Sequence, residues 1–197
     1  MCQQVAGTVW AADSPPVRLS GIGWRVLGVD GARALLLADR VIGTSPYHRE
    51  QGAITWESCD LRRWLNEEFC GSLGEPVVSR VAVVRKKNGP NPAWGTPGCF
   101  GTKDRVFLLS AEEAAVWFKG REPKNWGKHL RNMRLGKSAQ AANETGTRSV
   151  WWWLRSPGYE PDCAAYVDDN GDLNVGGRGV SAADGGVRPA FLLDLAS

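Results

Sequence analysis

The sequence predicts an α+β fold in which two helices pack on short antiparallel sheets, with long irregular loops between the elements. Three observations predict it. A hairpin pattern covers residues 22–42, two helical patterns lie at 58–70 and 111–118, and the stretch 150–195 contains short apolar runs separated by turn residues. Because strands and helices do not alternate along the chain, a sheet built from strand-helix-strand units is not expected.

The hairpin is the first element. Residues 22–29, with the sequence IGWRVLGV, and residues 33–42, with the sequence RALLLADRVI, are apolar and rich in β-forming side chains. The segment Asp30-Gly31-Ala32 lies between them, and Asp-Gly is the strongest short-range signal of a tight hairpin turn.

A first helix is predicted over residues 58–70. Its apolar side chains recur at the spacing of one helical face: Leu61, Trp64, Leu65 and Phe69. Ser58 or Asp60 is expected to cap the first turn, and Gly71 is expected to end the helix.

Two short strands, a loop and a second helix are predicted next. Residues 80–84, RVAVV, and 105–109, RVFLL, have the composition of strands. The four glycines and three prolines of residues 85–104 predict a loop between them. Ser110 and Glu113 have the spacing of a capping box, which predicts the helix at 111–118.

Residues 119–149 are polar and have no periodicity. Their first part is strongly basic and contains one aromatic residue, Trp126: Lys119, Arg121, Lys124, Lys128, Arg131, Arg134 and Lys137. This composition suggests contact with nucleic acid. A solvated loop is the simpler interpretation, and the net charge of +3 is small, so we expect no nucleic-acid partner.

The C-terminal stretch predicts strands at 150–154 (VWWWL), 163–167 (CAAYV) and 172–175 (DLNV), the last two joined by the turn sequence DDNG. A final strand is predicted at 185–195. Pro189 restricts part of that strand to an edge or a bulge, because proline cannot donate a ladder hydrogen bond.

The length of 197 residues predicts one domain, 1–197. Residues 8–149 would form a scaffold half that contains both helices, and residues 150–197 a C-terminal β region. The hydrophobic content of 43% and the charged content of 23% are ordinary for a soluble globular protein.

Five cysteines, an odd number without Cys-x-x-Cys spacing, indicate neither a zinc site nor a disulfide framework: Cys2, Cys59, Cys70, Cys99 and Cys163. We expect them to be reduced, which favours the cytoplasm. The first ten residues, MCQQVAGTVW, lack the pattern of a signal peptide, and no apolar run has the roughly 18 residues of a membrane helix. The protein is therefore expected in the cytoplasm, or on a phage or surface through a partner.

Three consecutive tryptophans, Trp151, Trp152 and Trp153, are the most unusual stretch of the chain. Successive side chains of a strand point to opposite faces, so this strand is expected to be covered on both sides. An exposed aromatic platform for a sugar or a base is the alternative. Arg155 and Arg188 follow apolar strands and are expected to bind loop carbonyls or a carboxylate.

The sequence predicts neither a cofactor nor a catalytic set. Asp168, Asn170 and Asp172 have the spacing of the first calcium ligands of an EF-hand, but Leu173 and Gly179 stand where such a loop needs Gly and Glu. A hairpin turn is the preferred interpretation, and a calcium site of another type stays open. The two histidines, His48 and His129, have no recognisable nucleophile partner, so the protein is predicted not to be an enzyme.

Five stretches then occur in order: IGWRVLGVDGARALLL, TWESCDLRRWLNEEF, VFLLSAEEA, WWWLRSPG and GGVRPAFLLDL. Over residues 20–195 they resemble an uncharacterised domain family of bacteria and phages, and the pair WWLRSPG and GGVRPA is the most specific part. That family is similar to the C-type-lectin fold, in the branch of the formylglycine-generating enzymes. The resemblance implies a C-type-lectin-like domain, of the kind that serves as the variable protein of diversity-generating retroelements.

Such elements mutate adenines near the 3′ end of a gene and thereby vary a ligand-binding face on a constant scaffold. The resemblance implies a non-enzymatic protein that binds a protein or a glycan through residues 159–184. The implied variable residues, most of which are of the types that mutated AAC or AAT codons encode, are Tyr159, Glu160, Asp162, Cys163, Tyr166, Asp168, Asn174, Gly176, Arg178, Ser181, Ala182 and Asp184. The implied constant frame is Trp151, Trp152, Trp153, Leu154, Arg155, Val187, Arg188 and Pro189.

Two alternative functions stay open. A fixed carbohydrate-binding or cell-wall-binding module would need a stacking aromatic side chain, which Tyr159, Tyr166 or Trp94 could supply. An oxidase like the formylglycine-generating enzymes would need a cysteine pair beside the substrate cleft, and no pair among the five cysteines matches that motif.

Overall fold

The structure is a computed structural model that describes residues 15–120 and 132–195. These residues are mostly β, and their strand pairs are antiparallel. The thirteen strands of this part of the chain are β1 Val17–Leu19, β2 Ile22–Asp30, β3 Arg33–Ala38, β4 Val84–Asn88, β5 Cys99–Asp104, β6 Val106–Phe107, β7 Asn132–Arg134, β8 Ala141–Ala142, β9 Ser149–Val150, β10 Trp152–Pro157, β11 Cys163–Val167, β12 Asp172–Gly179 and β13 Ala190–Asp194.

Helices contribute little to the described residues. The longest, α1, is continuous but changes its hydrogen bonding along its length. The helical segments are α1, made of an α-helix Asp60–Trp64, a π-helix Leu65–Phe69 and an α-turn Cys70–Ser72, then α2 Glu75–Val78, α3 Ala111–Lys119 and a 3₁₀ turn Lys137–Ala139.

The prediction of an α+β, C-type-lectin-like fold with two helices packed on short sheets is wrong. The described chain is mostly β, with four sheets and little helix. The glycines and prolines of residues 85–104, which are typical of a loop, lie between and within two strands. In the segment 85–104, predicted as a loop, β4 and β5 instead pair as a hairpin. A side chain at Gly98 would overlap the carbonyl oxygens of Asn88 and Gly89, so glycine there marks a close approach of two backbones.

The first sheet contains the predicted hairpin, which is confirmed. Its strand order is β1-β2-β3-β13-β6, so the C-terminal strand β13 lies between β3 and β6. The turn between β2 and β3 has Gly31 at φ 55°, the left-handed conformation that glycine adopts without strain. Gly28 interrupts the register, and a Cβ there would lie 2.7 Å from Cη2 of Trp117, so α3 packs against the backbone of β2.

The helix predicted at 58–70 is present but is shifted by two residues and capped differently. The N-cap is Cys59, whose sulfur accepts from the amide of Arg62, where Ser58 or Asp60 was expected. The helix also continues through Gly71 to Ser72. The helix predicted at 111–118 is confirmed as α3, including its capping box between Ser110 and Glu113.

The remaining strand predictions are partly right. Strand β11 has the predicted bounds, β10 starts two residues late and β12 extends to Gly179. The segment predicted as a strand at 80–84 makes an isolated bridge from Val81 to Leu193, and only its last residue, Val84, belongs to a strand, β4. The strand at 185–195 is reduced to β13, which begins directly after Pro189. The polar segment 119–149 contains β7, β8 and a 3₁₀ turn.

The second sheet has the order β10-β11-β12-β7 and positions the candidate site. Leu173 and Val175 of β12 are buried, whereas the side chain of Arg178 is exposed, so one face of the strand packs on the core and the other faces solvent. Tyr166 is opposite both Trp153 and Asn174, which places their side chains on one side of the sheet. The predictions for residues 1–14 and for the basic residues 121–131 lie outside the described residues.

Candidate functional site

The three tryptophans occupy two different environments. Trp152 and Trp153 are fully buried, and Trp151 is half-buried. Each indole N–H has an acceptor: Asp184 at 3.1 Å for Trp151, the carbonyl of Ala139 at 3.1 Å for Trp152 and the carbonyl of Ser45 at 2.9 Å for Trp153. Trp151 and Trp153 lie on one side, with ring centroids 4.7 Å apart. The strand is therefore covered on one face and partly open on the other.

Arg188 packs on the buried face of β10, against Trp152. Its side chain is 0% exposed, and it donates to the carbonyls of Ala38 at 2.9 Å and Ala139 at 3.1 Å. Its guanidinium lies 4.9 Å from the Trp152 ring and 5.8 Å from the Phe118 ring. Burial lowers the pKa of Arg188, and the carbonyls and aromatic faces compensate the desolvated charge.

Arg155 ties the end of β10 to helix α3. It is buried and donates to Asn88 at 2.8 Å, to the carbonyl of Leu108 at 2.8 Å and to the carboxylate of Glu113. Lys86 lies 2.6 Å from the other Glu113 oxygen. Burial alone would raise the pKa of Glu113, but the charges of Arg155 and Lys86 outweigh burial and lower it to about 2. The arginine after the tryptophans is thus a structural residue.

The open side of the second sheet forms a contiguous surface, which we call the C-terminal face: Trp151, Tyr166, Asn174, Arg178 and Asp184. The Tyr166 ring lies 5.5 Å from the Trp151 ring, edge to face, and its hydroxyl accepts from Asn174 at 3.0 Å. Burial raises the pKa of Tyr166, so its hydroxyl stays protonated at neutral pH. Five side chains from β11, β12, the residue before β10 and the loop after β12 are therefore held by mutual contacts.

Arg178 is the exposed cation of the C-terminal face. Its guanidinium lies 4.6 Å from the Trp151 ring, and Asp184 fixes that ring by accepting its indole N–H. Among the residues that the structure describes, no hydrogen bond or ion pair to protein engages the Arg178 side chain. Its planar set of donors is therefore oriented by stacking and left available to solvent.

A second aromatic group lies beside the C-terminal face. Tyr159, 51% exposed, meets Trp94 edge to face at 6.3 Å. Asn91 holds the loop that carries Trp94, because its side-chain amide donates to the carbonyls of Pro157 and Val175, each at 2.8 Å. A Cβ at Gly176 would lie 3.1 Å from Asn174 and 3.8 Å from Trp94. Gly176 therefore leaves a surface without a side chain between the Trp94–Tyr159 pair and the C-terminal face.

Gln51 gathers two further predicted residues at another edge of the sheet. Its amide nitrogen donates to Asp162 at 2.8 Å, and its oxygen accepts from the Ser181 hydroxyl at 2.8 Å. This group is polar and partly exposed, and it braces the loop after β12 against the segment before α1. We expect it to shape the surface rather than to make the principal contacts.

Four predicted residues do not join these groups. Asp168 accepts from the amides of Asn170 and Asp172 and so closes the β11–β12 turn. Cys163 lines a cavity of about 10 Å³ beside Tyr47, and burial with the nearby Asp162 charge raises its thiol pKa to about 11. Glu160 is exposed and makes no contact with the C-terminal face. Ala182 is half-buried and packs against the core.

A comparison with models of protein families shows which family the chain belongs to. The model of the family described as a domain of unknown function (DUF6273) matches residues 31–195. The chain belongs to the DUF6273 family. Searches among curated proteins and among solved structures gave no match. The match covers both the C-terminal face of this DUF6273 domain and the Trp94–Tyr159 pair.

The described residues of the DUF6273 domain contain no group of three or more His, Cys, Asp or Glu side chains arranged to hold a metal ion. No helix in residues 15–120 and 132–195 is long and apolar enough to cross a membrane. His48 pairs with a carboxylate, its Nδ1 lying 2.7 Å from Asp60, but Asp60 also accepts the amide of Arg49 and contacts Arg63. Asp60 is thus shared between a backbone amide and the Arg63 guanidinium in addition to His48.

Two residues of this site could not be found by local pattern. Trp151 was assigned to the constant frame with its neighbours, yet its ring lies on the C-terminal face of the DUF6273 domain. Gln51 lies in a polar loop without any sequence signal, and only the fold brings it to Asp162 and Ser181. The alternation of side chains along an extended chain could have separated Trp151 and Trp153 from Trp152. It could not have shown that Trp153 is buried and Trp151 is half-buried.

Proposed function

We propose that this DUF6273 domain is a non-enzymatic binding protein whose protein or glycan ligand docks on the C-terminal face. The observation that carries the proposal is Arg178, exposed and stacked at 4.6 Å on Trp151 without a hydrogen-bonding partner among the described residues. A buried or paired arginine would serve the fold, as Arg155 and Arg188 do. Arg178 instead presents its donors outward.

The chemistry of Arg178 favours a ligand that carries a carboxylate or a comparable planar acceptor. A guanidinium binds such a group through two parallel hydrogen bonds, and stacking on Trp151 reduces the conformational entropy lost on binding. Tyr166 adds a rigid, amphipathic surface beside it. Tyrosine, tryptophan and arginine are the residues that contribute most to affinity in protein interfaces.

The Trp94–Tyr159 pair would extend the contact area. Because Gly176 has no side chain, none at position 176 separates this pair from Asn174. One ligand could therefore contact both the Trp94–Tyr159 pair and the aromatic rings of the C-terminal face. Aromatic side chains supply apolar area together with a polar tip, which suits a peptide or a sugar ring. The expected energetic centre remains the cluster of Arg178, Trp151 and Tyr166.

We propose further that the outward residues of this region are varied by a diversity-generating retroelement. The separation of roles supports it: Trp152, Trp153 and Arg188 are buried, whereas Asn174 and Arg178 point outward from one strand. Outward positions of a strand tolerate exchange because they do not fill the core. Deep sequencing of the DNA that encodes residues 150–195, in a population that carries the gene, tests the proposed variation. Variation at adenines of the outward codons is expected, and an invariant stretch would contradict it.

The binding proposal is tested with two probes, because no ligand is identified: a glycan array and a phage-displayed library of random peptides. Ligands recovered with the wild type are measured against Arg178→Ala and Tyr166→Ala. Arg85→Ala is the matched control, since Arg85 is an exposed arginine on β4 outside the C-terminal face. Recovered ligands that bind both face variants as well as the wild type would contradict the proposal.

A fixed carbohydrate-binding module is the second candidate, and the Trp94–Tyr159 pair, in which Tyr159 is exposed and Trp94 is half-buried, favours it. This alternative predicts glycan binding that Tyr159→Ala removes and Arg178→Ala leaves within about twofold, with no variation at the locus. The oxidase alternative has less support. Burial raises the thiol pKa to about 12 at Cys59 and to about 11 at Cys163, which disfavours a reactive thiolate at neutral pH.

A further inference from the structure

A cleft of about 510 Å³ lies between helix α1 and the β1–β2 turn, and it shares no lining residue with the C-terminal face. Its apolar surface comes from Ile22, Ile42, Trp64 and Phe69. Two of those residues, Ile42 and Trp64, also line an adjoining cleft of about 350 Å³ along the other side of the segment that follows β3. The combined volume lies in the range of small-molecule sites, which is about 300–1,000 Å³.

The π-helix in α1 builds the aromatic wall of this cleft. In an α-helix, residues five positions apart point in different directions, but the wider π turn brings them to one side. Trp64 precedes the π segment and Phe69 ends it, and their rings lie 5.5 Å apart with an interplanar angle of 34°. The amide of Cys70 donates to the carbonyl of Leu65, the i to i+5 bond that defines the turn. Such π turns occur frequently at functional sites.

Asn66 holds the π turn in place. Its side-chain nitrogen donates to the carbonyls of Arg62 at 3.0 Å and Val106 at 2.9 Å, and its oxygen accepts from the amide of Arg105 at 2.8 Å. The Asn66 side chain thus adds a hydrogen bond to the carbonyl of Arg62 and links α1 to strand β6. The aromatic wall is therefore a fixed feature of the fold.

The rim of the cleft is net positive. Arg18 and Arg40 line it, and Asp39 is neutralised by Arg25, with Nε and Oδ1 2.5 Å apart. Glu144 is the one carboxylate of the described lining that no ion pair engages. The Arg40 guanidinium rests against the backbone of the loop that contains Gly146, where a Cβ would lie 2.6 Å from its Nη1 atom. Two arginines thus face a half-buried tryptophan.

We propose that this cleft binds a small molecule that combines a flat apolar ring with an anionic group. The ring would pack against Trp64 and Phe69, and the anion would be held by Arg40 and Arg18. The indole N–H of Trp64 has no acceptor among the described residues and offers a further hydrogen bond. This site is independent of the C-terminal face, so either proposal can fail without the other.

Two probes of matched shape test the cleft in the full-length protein. Anilinonaphthalene sulfonate is an aromatic anion whose fluorescence rises in apolar surroundings, and phenylnaphthylamine is its neutral analogue. The proposal predicts one bound molecule of the anion per chain, at least about fivefold weaker in Arg40→Gln, whereas the neutral analogue changes by less than about twofold. Arg85→Gln, an exposed arginine outside the cleft, should leave both affinities unchanged.

Trp64→Ala should weaken both probes at least about fivefold, because it removes the ring surface rather than the charge. Its fold is checked by far-ultraviolet circular dichroism, and Arg40→Gln keeps the test valid if Trp64→Ala does not fold. Equal sensitivity to Arg40→Gln and Arg85→Gln would overturn the proposal. So would several weak anion sites in place of one.

Discussion

Gly185 lies directly against the indole of Trp153. A Cβ at position 185 would overlap Nε1 of Trp153 and would lie 2.7 Å from its Cδ1 atom. A Cβ at the next residue, Gly186, would likewise overlap the carbonyl oxygen of Trp151. Gly186 also forms an isolated β-bridge with Trp152. The two most distinctive stretches of the sequence, WWWLRSPG and GGVRPA, are therefore two sides of one packing arrangement.

Gly185→Ala should destabilise the protein by about 1–3 kcal/mol, because a fully buried ring cannot move away from the added methyl group. Urea unfolding at neutral pH measures the change. Gly52→Ala is the matched control: a Cβ there meets nothing within 4 Å. A loss at position 185 no larger than at position 52 would contradict the described packing.

Glu113 should make folding stability sensitive to acid. Its folded pKa is lowered from 4.5 to about 2, so its stabilising contribution is complete above pH 4.5 and is lost as the pH falls toward 2. The contribution is on the order of 3 kcal/mol. Glu113→Gln keeps the capping geometry but removes the charge, and it should therefore be less stable than the wild type at pH 7 and flatter between pH 4.5 and 2. Parallel stability–pH curves for the two proteins would show that the pair with Arg155 is not as described.

Arg188→Lys should cost about 2–4 kcal/mol, although it preserves the charge. A lysine has no planar group to lie on Trp152 and cannot donate to the carbonyls of Ala38 and Ala139 in the same geometry. Thermal and urea unfolding test this. Arg148→Lys, at an exposed position, is the control and should change stability by less than about 0.5 kcal/mol. Similar stabilities of the two variants would contradict the role of Arg188.

Asn66→Ala should destabilise the protein by about 2 kcal/mol and weaken binding of both fluorescent probes in the cleft. The change removes the side-chain bonds that hold the π turn to β6, so the Trp64–Phe69 wall should loosen. Asn170→Ala, an exposed turn position, serves as control. A destabilised Asn66→Ala protein with unchanged probe binding would separate the π turn from the cleft.

Local signals predicted the elements that depend on neighbouring residues. The Asp30-Gly31 turn and the Ser110–Glu113 capping box are both present, because each is determined within a few residues of the chain. The β4–β5 hairpin and the π turn were missed because their causes are distant: Gly98 permits a close approach to Asn88, and Asn66 bonds strand β6.

The candidate site shows the same limit. Tyr166, Asn174 and Arg178 were selected by composition and resemblance, and the structure brings them to one surface. The sequence could not indicate that Trp94 would lie beside Tyr159, because that contact depends on Asn91 bonding to the end of the second sheet. The predicted fold class, two helices packed on short sheets, is wrong because several short strands lie in glycine-rich and polar segments that have no local strand signal.

The most direct test of the central claim is the dissociation constant of one recovered ligand for the wild type, Arg178→Ala and Arg85→Ala, measured by isothermal titration calorimetry. Arg178 is exposed, and no hydrogen bond or ion pair engages its side chain among the described residues, so its removal should leave the fold intact. The account predicts a loss of at least about tenfold for Arg178→Ala and less than about twofold for Arg85→Ala. Equal dissociation constants for all three proteins would contradict binding at the C-terminal face.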